Sequence, residues 1–417
     1  MSLRTVSRRR FLKSASKGIA GALAGGLIVG RTRAQPDLGK VAEKEARYWK
    51  RLESGEIQCG VCPHACSLKD GALGKCRQRK RVGDALISLV YGRPCVIQVL
   101  PIEQDGFNHV MPGNLALTVG TAGCVLSCRY CETWQVSQAA PMQTANEDMS
   151  PARIVATAKE YRLKIVTFTI NDAVGCVEYV IDTANALREQ GIKCVAHTCA
   201  YINPKPLKDL CAALDAINVD LKGYTESFYK SIVGGKLRPV LTAIKTIVAQ
   251  GTFLEITNLV IPGQNDGATT FKNMCRWILE NCGPDVPLHV RRFFPKHMML
   301  QVPSTPTLTL KNLRKAAYAT EPGEKYLRVG YNARLRYVYV DNMPGDPGEW
   351  TYCPRCKAPI IRRIGTEALN VGFNPKLRRC RGCQLPIPGV WETGANPQVP
   401  PPPPPPKEEK ANAKPAG

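Results

Sequence analysis

In this 417-residue chain, the residues that most directly predict a reactive site are three closely spaced cysteines: Cys124, Cys128 and Cys131. Their C-x3-C-x2-C spacing places three thiolates on one loop, after a strand-like run at 115–119 and a glycine-containing turn at 120–123. Three thiolates can ligate three irons of a [4Fe–4S] cubane and leave the fourth iron open to an external ligand. The alternative is a structural or zinc-bound group of cysteines.

The open iron determines the predicted reaction. The amino and carboxylate groups of S-adenosylmethionine (SAM) can chelate such an iron, which places the sulfonium beside the cluster. One electron then cleaves the S–C5′ bond and releases a 5′-deoxyadenosyl radical. The three cysteines are therefore predicted to be catalytic as cluster ligands. Tyr130 precedes the third cysteine, where its ring could pack against the adenine.

Two cysteine quartets flank this motif. The later one has two C-x2-C knuckles, a zinc-ribbon spacing that predicts a closed, structural Zn²⁺ site: Cys353, Cys356, Cys380 and Cys383. The earlier one could close either a Zn²⁺ site or a second [4Fe–4S] cluster, because spacing does not choose between them: Cys59, Cys62, Cys66 and Cys76. His64 lies between these ligands and could replace one. The other cysteines are interpreted as small buried hydrophobes.

Composition limits the function classes. Hydrophobic residues at 44% and charged residues at 22% describe a globular protein, and no apolar run is long enough to predict a transmembrane helix in the mature chain. The net charge of +23 is not gathered into a compact basic stripe, and aromatic residues are only 7% of the chain. We therefore expect no nucleic-acid partner.

Both ends of the chain differ in character from its middle. Residues 1–34 contain Arg8-Arg9-Arg10-Phe11-Leu12 before a short Gly/Ala-rich stretch, a pattern that predicts a twin-arginine signal peptide and export to the periplasm or outer face. The alternative is a basic amphipathic N-terminus, and an inefficient leader would leave the protein cytoplasmic. Residues 396–417 are proline-rich and predict a disordered tail.

Between these ends, strand-like runs alternate with amphipathic helical patterns. This alternation predicts a parallel sheet with helical crossovers, either an open doubly wound sheet or a partial barrel. The predicted strands are 115–119, 165–169, 193–198, 216–220, 254–261 and 286–291. The predicted helices are 151–161, 174–190, 204–214, 238–250 and 268–281. Ligands gather at the carboxyl ends of such strands.

The cysteine motifs and the sequence blocks around them resemble those of a known family. The blocks that carry the resemblance are Cys59-Gly-Val-Cys62-Pro-His-Ala-Cys66, Gly71-Ala-Leu-Gly-Lys-Cys76, Pro101-Ile-Glu103, Met111-Pro-Gly-Asn114, Gly120-Thr-Ala-Gly-Cys124 and Trp134-Gln-Val-Ser-Gln138. They resemble the radical SAM superfamily, and within it the enzyme of the AmmeMemoRadiSam system, which is related to the pyruvate formate-lyase activating enzymes.

The resemblance implies an α/β fold, the (β/α)6 partial TIM barrel, flanked by an N-terminal cysteine knuckle and a C-terminal zinc-ribbon-like domain. The expected divisions after the leader are a linker or helix at 35–56, a cysteine-rich metal-binding region at 57–110, the core at 111–345 and the ribbon at 346–395.

The resemblance also implies the residues that contact SAM at the strand ends, and they are Asn171, Asp172, Thr198, Asp220, Lys222, Gly263 and His289. For Asp220 and Lys222 the alternative is a structural ion pair, and for Gly263 an ordinary turn. His197 is interpreted as a hydrogen-bonded core histidine.

These observations predict a radical SAM enzyme that abstracts hydrogen from an unidentified substrate, a protein or a small molecule. By resemblance to the activating enzymes, the substrate could be a protein glycine, and the electron donor a flavodoxin or ferredoxin. The alternative is a non-enzymatic iron–sulfur and zinc protein that serves electron transfer or cluster assembly.

Overall fold

The computed structural model describes residues 27–28, 37–365 and 367–391. Of the predicted leader, only Leu27–Ile28 is described, as a short strand. The twin-arginine pattern and the proline-rich tail lie outside the described residues. Within the part of the chain that is described, no helix has the length and hydropathy needed to cross a membrane.

The described strands in chain order are β1 (Leu27–Ile28), β2 (Asp37–Leu38), β3 (Lys44–Glu45), β4 (Trp49–Arg51), β5 (Ile57–Cys59), β6 (Ser67–Leu68), β7 (Arg79–Val82), β8 (Ala85–Ser88), β9 (Val96–Pro101), β10 (Leu115–Gly120), β11 (Ala145–Asn146), β12 (Ile165–Phe168), β13 (Lys193–Thr198), β14 (Ala216–Asp220), β15 (Phe253–Val260), β16 (Leu288–Arg292), β17 (Val338–Asp341), β18 (Thr351–Tyr352), β19 (Pro359–Ile364), β20 (Glu367–Asn370), β21 (Phe373–Asn374) and β22 (Arg379–Cys380). The α-helices are α1 (Trp134–Ser137), α2 (Pro151–Glu160), α3 (Val177–Arg188), α4 (Pro204–Ala213), α5 (Glu226–Phe228), α6 (Leu237–Ala249), α7 (Ala268–Cys282), α8 (Thr307–Tyr318) and α9 (Glu324–Leu327).

The main sheet has the order β1-β9-β10-β12-β13-β14-β15-β16-β17. Its strands from β10 onward pair in parallel, whereas β9 runs antiparallel to β10. Parallel strands covered on both faces are apolar throughout, and all four residues of β12 are buried. The chain passes through helices α2 to α8 between most of these strands, which produces the layered α/β architecture.

The predicted α/β class and partial barrel are confirmed. The six predicted strands correspond to β10, β12, β13, β14, β15 and β16, and the five predicted helices correspond to α2, α3, α4, α6 and α7. The sheet is open, since no pairing joins its edges within the described residues. The structure adds a further parallel strand, β17, which sequence analysis did not identify because it is a four-residue run after an irregular segment.

In the described part of 35–56, the structure has short strands and no helix. Strand β3 pairs with β8, and β4 pairs with β5, so this segment supplies edge strands to two small antiparallel sheets. Pairing with later strands decides the conformation of a short segment that has little apolar periodicity of its own. The main sheet also begins earlier than the expected core boundary at 111, because β9 belongs to it.

The segment 102–111 closes the amino end of the barrel. Its apolar residues pack in one cluster with the first inward residues of five strands, and the members are Ile102, Phe107, Val110, Met111, Ala116, Ile165, Val195, Ala216 and Phe253. Glu255 of β15 accepts hydrogen bonds from the backbone N–H groups of Asn108 and His109 at 3.0 and 2.9 Å. The segment therefore forms a floor beneath the strands.

The C-terminal region fastens this floor from outside. The buried Arg363 of β19 donates to the backbone oxygen of Asn108 at 2.8 Å and to Thr351 Oγ1 at 2.9 Å. Val390, near the end of the described chain, forms a β-bridge with Val110 and belongs to the same apolar cluster. The ribbon thus packs against the barrel end opposite the strand tips.

Gly106 lies in the floor at a position with no room for a side chain, and this can be tested by substitution. Its φ is +89°, and an added Cβ would lie 3.0 Å from His197 Nδ1 and 3.2 Å from Asn218 Nδ2. We expect Gly106→Ala to lower the free energy of unfolding by about 1–3 kcal/mol through strain and crowding. Gly191→Ala is the matched control, because Gly191 has a φ of +69° but open space around its Cβ position. Equal losses in denaturant unfolding would show that the floor contacts contribute nothing.

Candidate active site and cysteine centres

The loop that follows β10 carries the three central cysteines and is held by backbone and amide contacts. Asn171 donates to the Gly123 backbone oxygen at 2.5 Å and to Thr121 Oγ1 at 3.1 Å. Farther along the loop, the Ser127 N–H donates to the Val233 backbone oxygen at 3.1 Å. Asn171, predicted to contact SAM, therefore braces the loop at the end of β12.

The three thiols lie together, and their arrangement suits a group larger than one ion. Cys128 is buried, Cys124 and Cys131 are half-buried, and the charges of Cys128 and Cys131 both act on Cys124. Their sulfurs do not all lie within 4.8 Å of one another, since the one group of described residues that does is the C-terminal quartet. Burial raises the pKa of Cys128 to about 11. A metal cluster would stabilise the buried thiolates by its positive charge, so the donor set fits a [4Fe–4S] group.

Asp220 and Lys222 form an ion pair at the carboxyl end of β14. Lys222 Nζ lies 2.8 Å from Asp220 Oδ2, and His197 Nε2 lies 3.1 Å from Asp220 Oδ1. Burial alone would raise the pKa of Asp220, but Lys222 and His197 lower it below its usual range. His197, interpreted from sequence as a hydrogen-bonded core residue, thus orients this carboxylate, and its other ring nitrogen lies 3.0 Å from the Asp105 backbone oxygen.

The Asp220–Lys222 pair adjoins the cysteine loop through Tyr130. Lys222 Nζ lies 6.0 Å from the centroid of the Tyr130 ring, and its charge lowers the pKa of Cys128 against the larger effect of burial. Tyr130 is 3% exposed, and a hydrogen bond with its side chain also lowers the pKa of Cys128. Tyr130 therefore lies between the Lys222 ammonium and a cysteine of the central loop.

Asp172 and Thr198 are brought into direct contact. Thr198 Oγ1 donates to Asp172 Oδ1 at 2.5 Å, and Cys199 Sγ lies 3.0 Å from Asp172 Oδ2. Both carboxylate oxygens are therefore engaged by β13 and the residue after it. Cys199 was not predicted to take part, because sequence analysis interpreted it only as a small buried hydrophobe. The charge of Asp172 also raises the pKa of Cys124, next in effect to burial.

The turn after β15 is tied to Lys222 by a residue that sequence analysis did not single out. Asn265 donates to the Lys222 and Leu259 backbone oxygens at 2.9 and 2.8 Å and accepts from the Ile261 N–H at 2.6 Å. Gly263 has a φ of +71°, and its N–H donates to Asp266 at 2.9 Å. Asn265 lay within the turn motif and could have been identified as its brace.

His289 requires a correction, because neither of its ring nitrogens is free for SAM. Nε2 lies 2.7 Å from Glu255 and Nδ1 lies 2.8 Å from Asp341. Burial lowers the pKa of His289, but the two carboxylates together raise it to about 9. His289 is a buried residue of β16 that joins β15 and β17 through these two contacts. The sequence could not show this, since both partners are distant along the chain.

A serine near the third cysteine was also missed. Ser137 Oγ lies 3.0 Å from Cys131 Sγ, and Thr133 Oγ1 lies 3.7 Å from the same sulfur. Hydrogen bonds to cluster sulfurs are among the features that tune reduction potential. Ser137 falls inside the block 134–138 that supported the family resemblance, so the signal was present but had no assigned role.

The C-terminal quartet has the geometry of a mononuclear site. Cys353 Sγ lies 3.4 Å from Cys383 Sγ, and Cys356 Sγ lies 3.6 Å from Cys380 Sγ. All four sulfurs lie within 4.8 Å of one another. Tetrahedral Zn–S bonds of about 2.3 Å place sulfurs roughly 3.8 Å apart, so this set fits one tetrahedral metal ion.

Comparison with known proteins gives a consistent result. Residues 118–277 match the family model of the radical SAM superfamily. An uncharacterized protein of Methanocaldococcus jannaschii is 32% identical over 340 residues, which span 82% of this chain and 97% of that protein.

Solved structures with a similar arrangement include a radical SAM methyltransferase from Sphaerobacter thermophilus, with a TM-score of 0.44, 13% identity and coverage of 72% of this chain and 76% of that one. A domain of a pyruvate-formate lyase-activating enzyme from Bacteroides vulgatus has a TM-score of 0.34 and 14% identity, and covers 42% of this chain and 97% of that one.

The Asp220–Lys222 pair yields a stability prediction. Asp220→Asn removes the carboxylate that compensates Lys222, whose side chain is only 14% exposed. We expect a loss of about 2–3 kcal/mol in the free energy of unfolding, below the range for fully buried pairs because Asp220 is partly exposed. The double variant Asp220→Asn/Lys222→Met should recover much of this loss. If the double variant unfolds as easily as the single one in anaerobic denaturant titrations, the pair is not the source of the effect.

Proposed function

Because the chain belongs to the radical SAM superfamily, we propose that it is an enzyme that uses a [4Fe–4S] cluster on Cys124, Cys128 and Cys131 to cleave SAM reductively. The observation that carries this proposal is that the three neighbouring cysteines, one buried and two half-buried, lie beside the Asp220–Lys222 pair at one edge of the sheet. When bound, the cluster supplies one electron to SAM and so generates a 5′-deoxyadenosyl radical that abstracts hydrogen.

The roles of the chain's own side chains follow from charge and position. Lys222 is a cation suited to offset the SAM carboxylate, and Asp220 is an ionised acceptor suited to ribose hydroxyls. Tyr130, with Phe228 at a ring distance of 6.4 Å, provides an apolar wall beside them. Asn171 and Asn265 hold the loop and the turn that border the site, and therefore position rather than react.

The substrate that we propose to test first is the Cα–H of a protein glycine. Support comes from the sequence blocks that resemble the activating enzymes, not from a pocket of known shape. The electron donor is proposed to be a low-potential flavodoxin or ferredoxin. Export by the twin-arginine route is supported by the leader pattern at 1–34, and a route that carries folded proteins suits a chain loaded with metal.

SAM cleavage provides the direct test. After anaerobic iron–sulfur reconstitution, dithionite and SAM should yield 5′-deoxyadenosine, measured by chromatography. Cys128→Ala should abolish the product, because it removes one cluster ligand. Cys211→Ala is the matched control, since Cys211 is equally buried but lies on α4. A fully loaded cluster that never cleaves SAM would favour the electron-transfer or assembly alternative.

We also propose that the C-terminal quartet holds one structural Zn²⁺. Cys380→Ser should lower the zinc content by about one ion per chain and leave the iron content unchanged, because a four-thiolate site loses affinity when one ligand is replaced. Elemental analysis of anaerobically purified protein measures both metals. Iron, rather than zinc, lost with this substitution would contradict the assignment.

A further inference from the structure

The N-terminal quartet is assembled by a hairpin and by the approach to a second one. Cys59 ends β5 and its N–H donates to the Cys66 backbone oxygen at 2.9 Å, while Cys76 precedes β7. Cys59, Cys62, Cys66 and Cys76 all line one cavity. The other residues on its wall include Val125 of the central loop.

The four thiols face one another across this cavity. The largest cause that raises the pKa of Cys62 is burial, and the charges of Cys76, Cys59 and Cys66 each raise it further. The four cysteines border one cavity and are close enough for their charges to act on one another. A convergent set of four thiols is a metal-binding donor set.

The spread of the sulfurs distinguishes a cluster from a single ion. In the C-terminal quartet all four sulfurs lie within 4.8 Å of one another, and among the described residues no other group of three or more potential ligands does. The N-terminal quartet is therefore wider, as the Cys124, Cys128 and Cys131 set is. A single tetrahedral ion draws its four sulfurs to about 3.8 Å. Thiolates that each bind a different iron of a cubane lie farther apart.

His64 is not among the residues that line the cavity. Its Nε2 lies 2.8 Å from the Val125 backbone oxygen, and its ring packs 5.1 Å from that of Tyr201. The expectation that His64 could replace a cysteine is therefore not supported by its contacts. Instead, His64 links the quartet's loop to the central cysteine loop.

We propose that Cys59, Cys62, Cys66 and Cys76 bind a second [4Fe–4S] cluster that passes electrons to the first. Four thiolates leave no iron open, so this cluster has no position for SAM or substrate and is suited to electron transfer. Cationic groups lie on the same wall: Lys75 and the 1%-exposed Arg79. The role in electron transfer rests on the proposed function, whereas the presence of the cluster does not.

The two cysteine centres share a wall. Val125 lines the cavity of the quartet and lies between Cys124 and Cys128 in the chain. Gly123 has a φ of +86°, and a Cβ there would lie 2.4 Å from the Cys76 backbone oxygen, so the two loops are in backbone contact. An electron from a low-potential flavodoxin or ferredoxin would reduce the second cluster, which is reoxidised when it reduces the first. No bond to the chain forms or breaks.

Metal content tests the site. Anaerobically reconstituted wild-type chain should contain about eight irons and one zinc, and Cys62→Ala should lose about four irons while it keeps the zinc. Cys128→Ala should also lose about four irons, and Cys380→Ser should lose zinc alone. About four irons with two zincs in the wild-type chain, or loss of zinc from Cys62→Ala, would overturn the proposal.

Electron paramagnetic resonance tests the shared wall. In the fully reduced wild-type chain, spin–spin interaction between neighbouring clusters should broaden the signals, and Cys62→Ala should leave a narrow signal that still responds to SAM. The response to SAM also shows that the variant is folded. If Cys62→Ala does not fold, Cys66→Ala replaces it in this experiment, because Cys66 is only half-buried. An unbroadened wild-type signal would rule out the proposed path for electrons.

The two proposals fail separately. Eight irons without 5′-deoxyadenosine would overturn the proposed function and leave the second cluster in place. Abundant 5′-deoxyadenosine from a chain with four irons and two zincs would overturn the second cluster alone. With both clusters present, Cys62→Ala should slow SAM cleavage at least tenfold when a reduced flavodoxin is the donor, and an unchanged rate would remove its role in electron transfer.

Discussion

Buried thiols that face one another are the constraint on which this molecule depends. A thiolate is costly to bury without a positive charge, and burial accordingly raises the pKa of Cys62, Cys76 and Cys128. Metal binding reverses that preference, because the ligands are bound as thiolates and the ion or cluster supplies the charge. Under the metal assignments proposed above, folding of the loops around each cysteine group is coupled to metal loading, and the metal-free chain should hold these loops less firmly.

The barrel converts this local chemistry into a site. Parallel strands bring residues far apart in the chain to one edge of the sheet, so Asn171, Thr198 and Lys222 lie at the carboxyl ends of neighbouring strands. The opposite end is closed by the segment 102–111, which the ribbon holds through Arg363 and Val390. The C-terminal region thereby supports the floor beneath the strands.

Sequence reasoning and the structure agree most closely for the C-terminal quartet, whose four sulfurs lie within 4.8 Å of one another. Short C-x2-C spacing brings the two sulfurs of each knuckle together, and folding then joins the two knuckles. Sequence reasoning was less reliable where a side chain's partner lies far along the chain. His289 was expected near SAM, but Glu255 and Asp341 engage both of its ring nitrogens.

The same limit applies to secondary structure. The segment 35–56 lacks a strong period of its own and becomes strand only because β5 and β8 offer open edges. Strand β17 is likewise short and is defined by its parallel register with β16. Long buried strands and amphipathic helices, by contrast, can be identified in a sequence from their hydrophobic periodicity.

The sequence by itself determined the donor atoms, the order of strands and helices, and the family, because these depend on residue type and on local spacing. Only the tertiary structure decided how far apart the sulfurs of each group lie, since this distance is set by which hairpins and loops pack together. That distance separates the C-terminal quartet from the N-terminal one, although both present four cysteines. The tertiary structure also places the N-terminal quartet beside the central loop. Gly123 contacts Cys76 there, although the two residues are far apart in the chain.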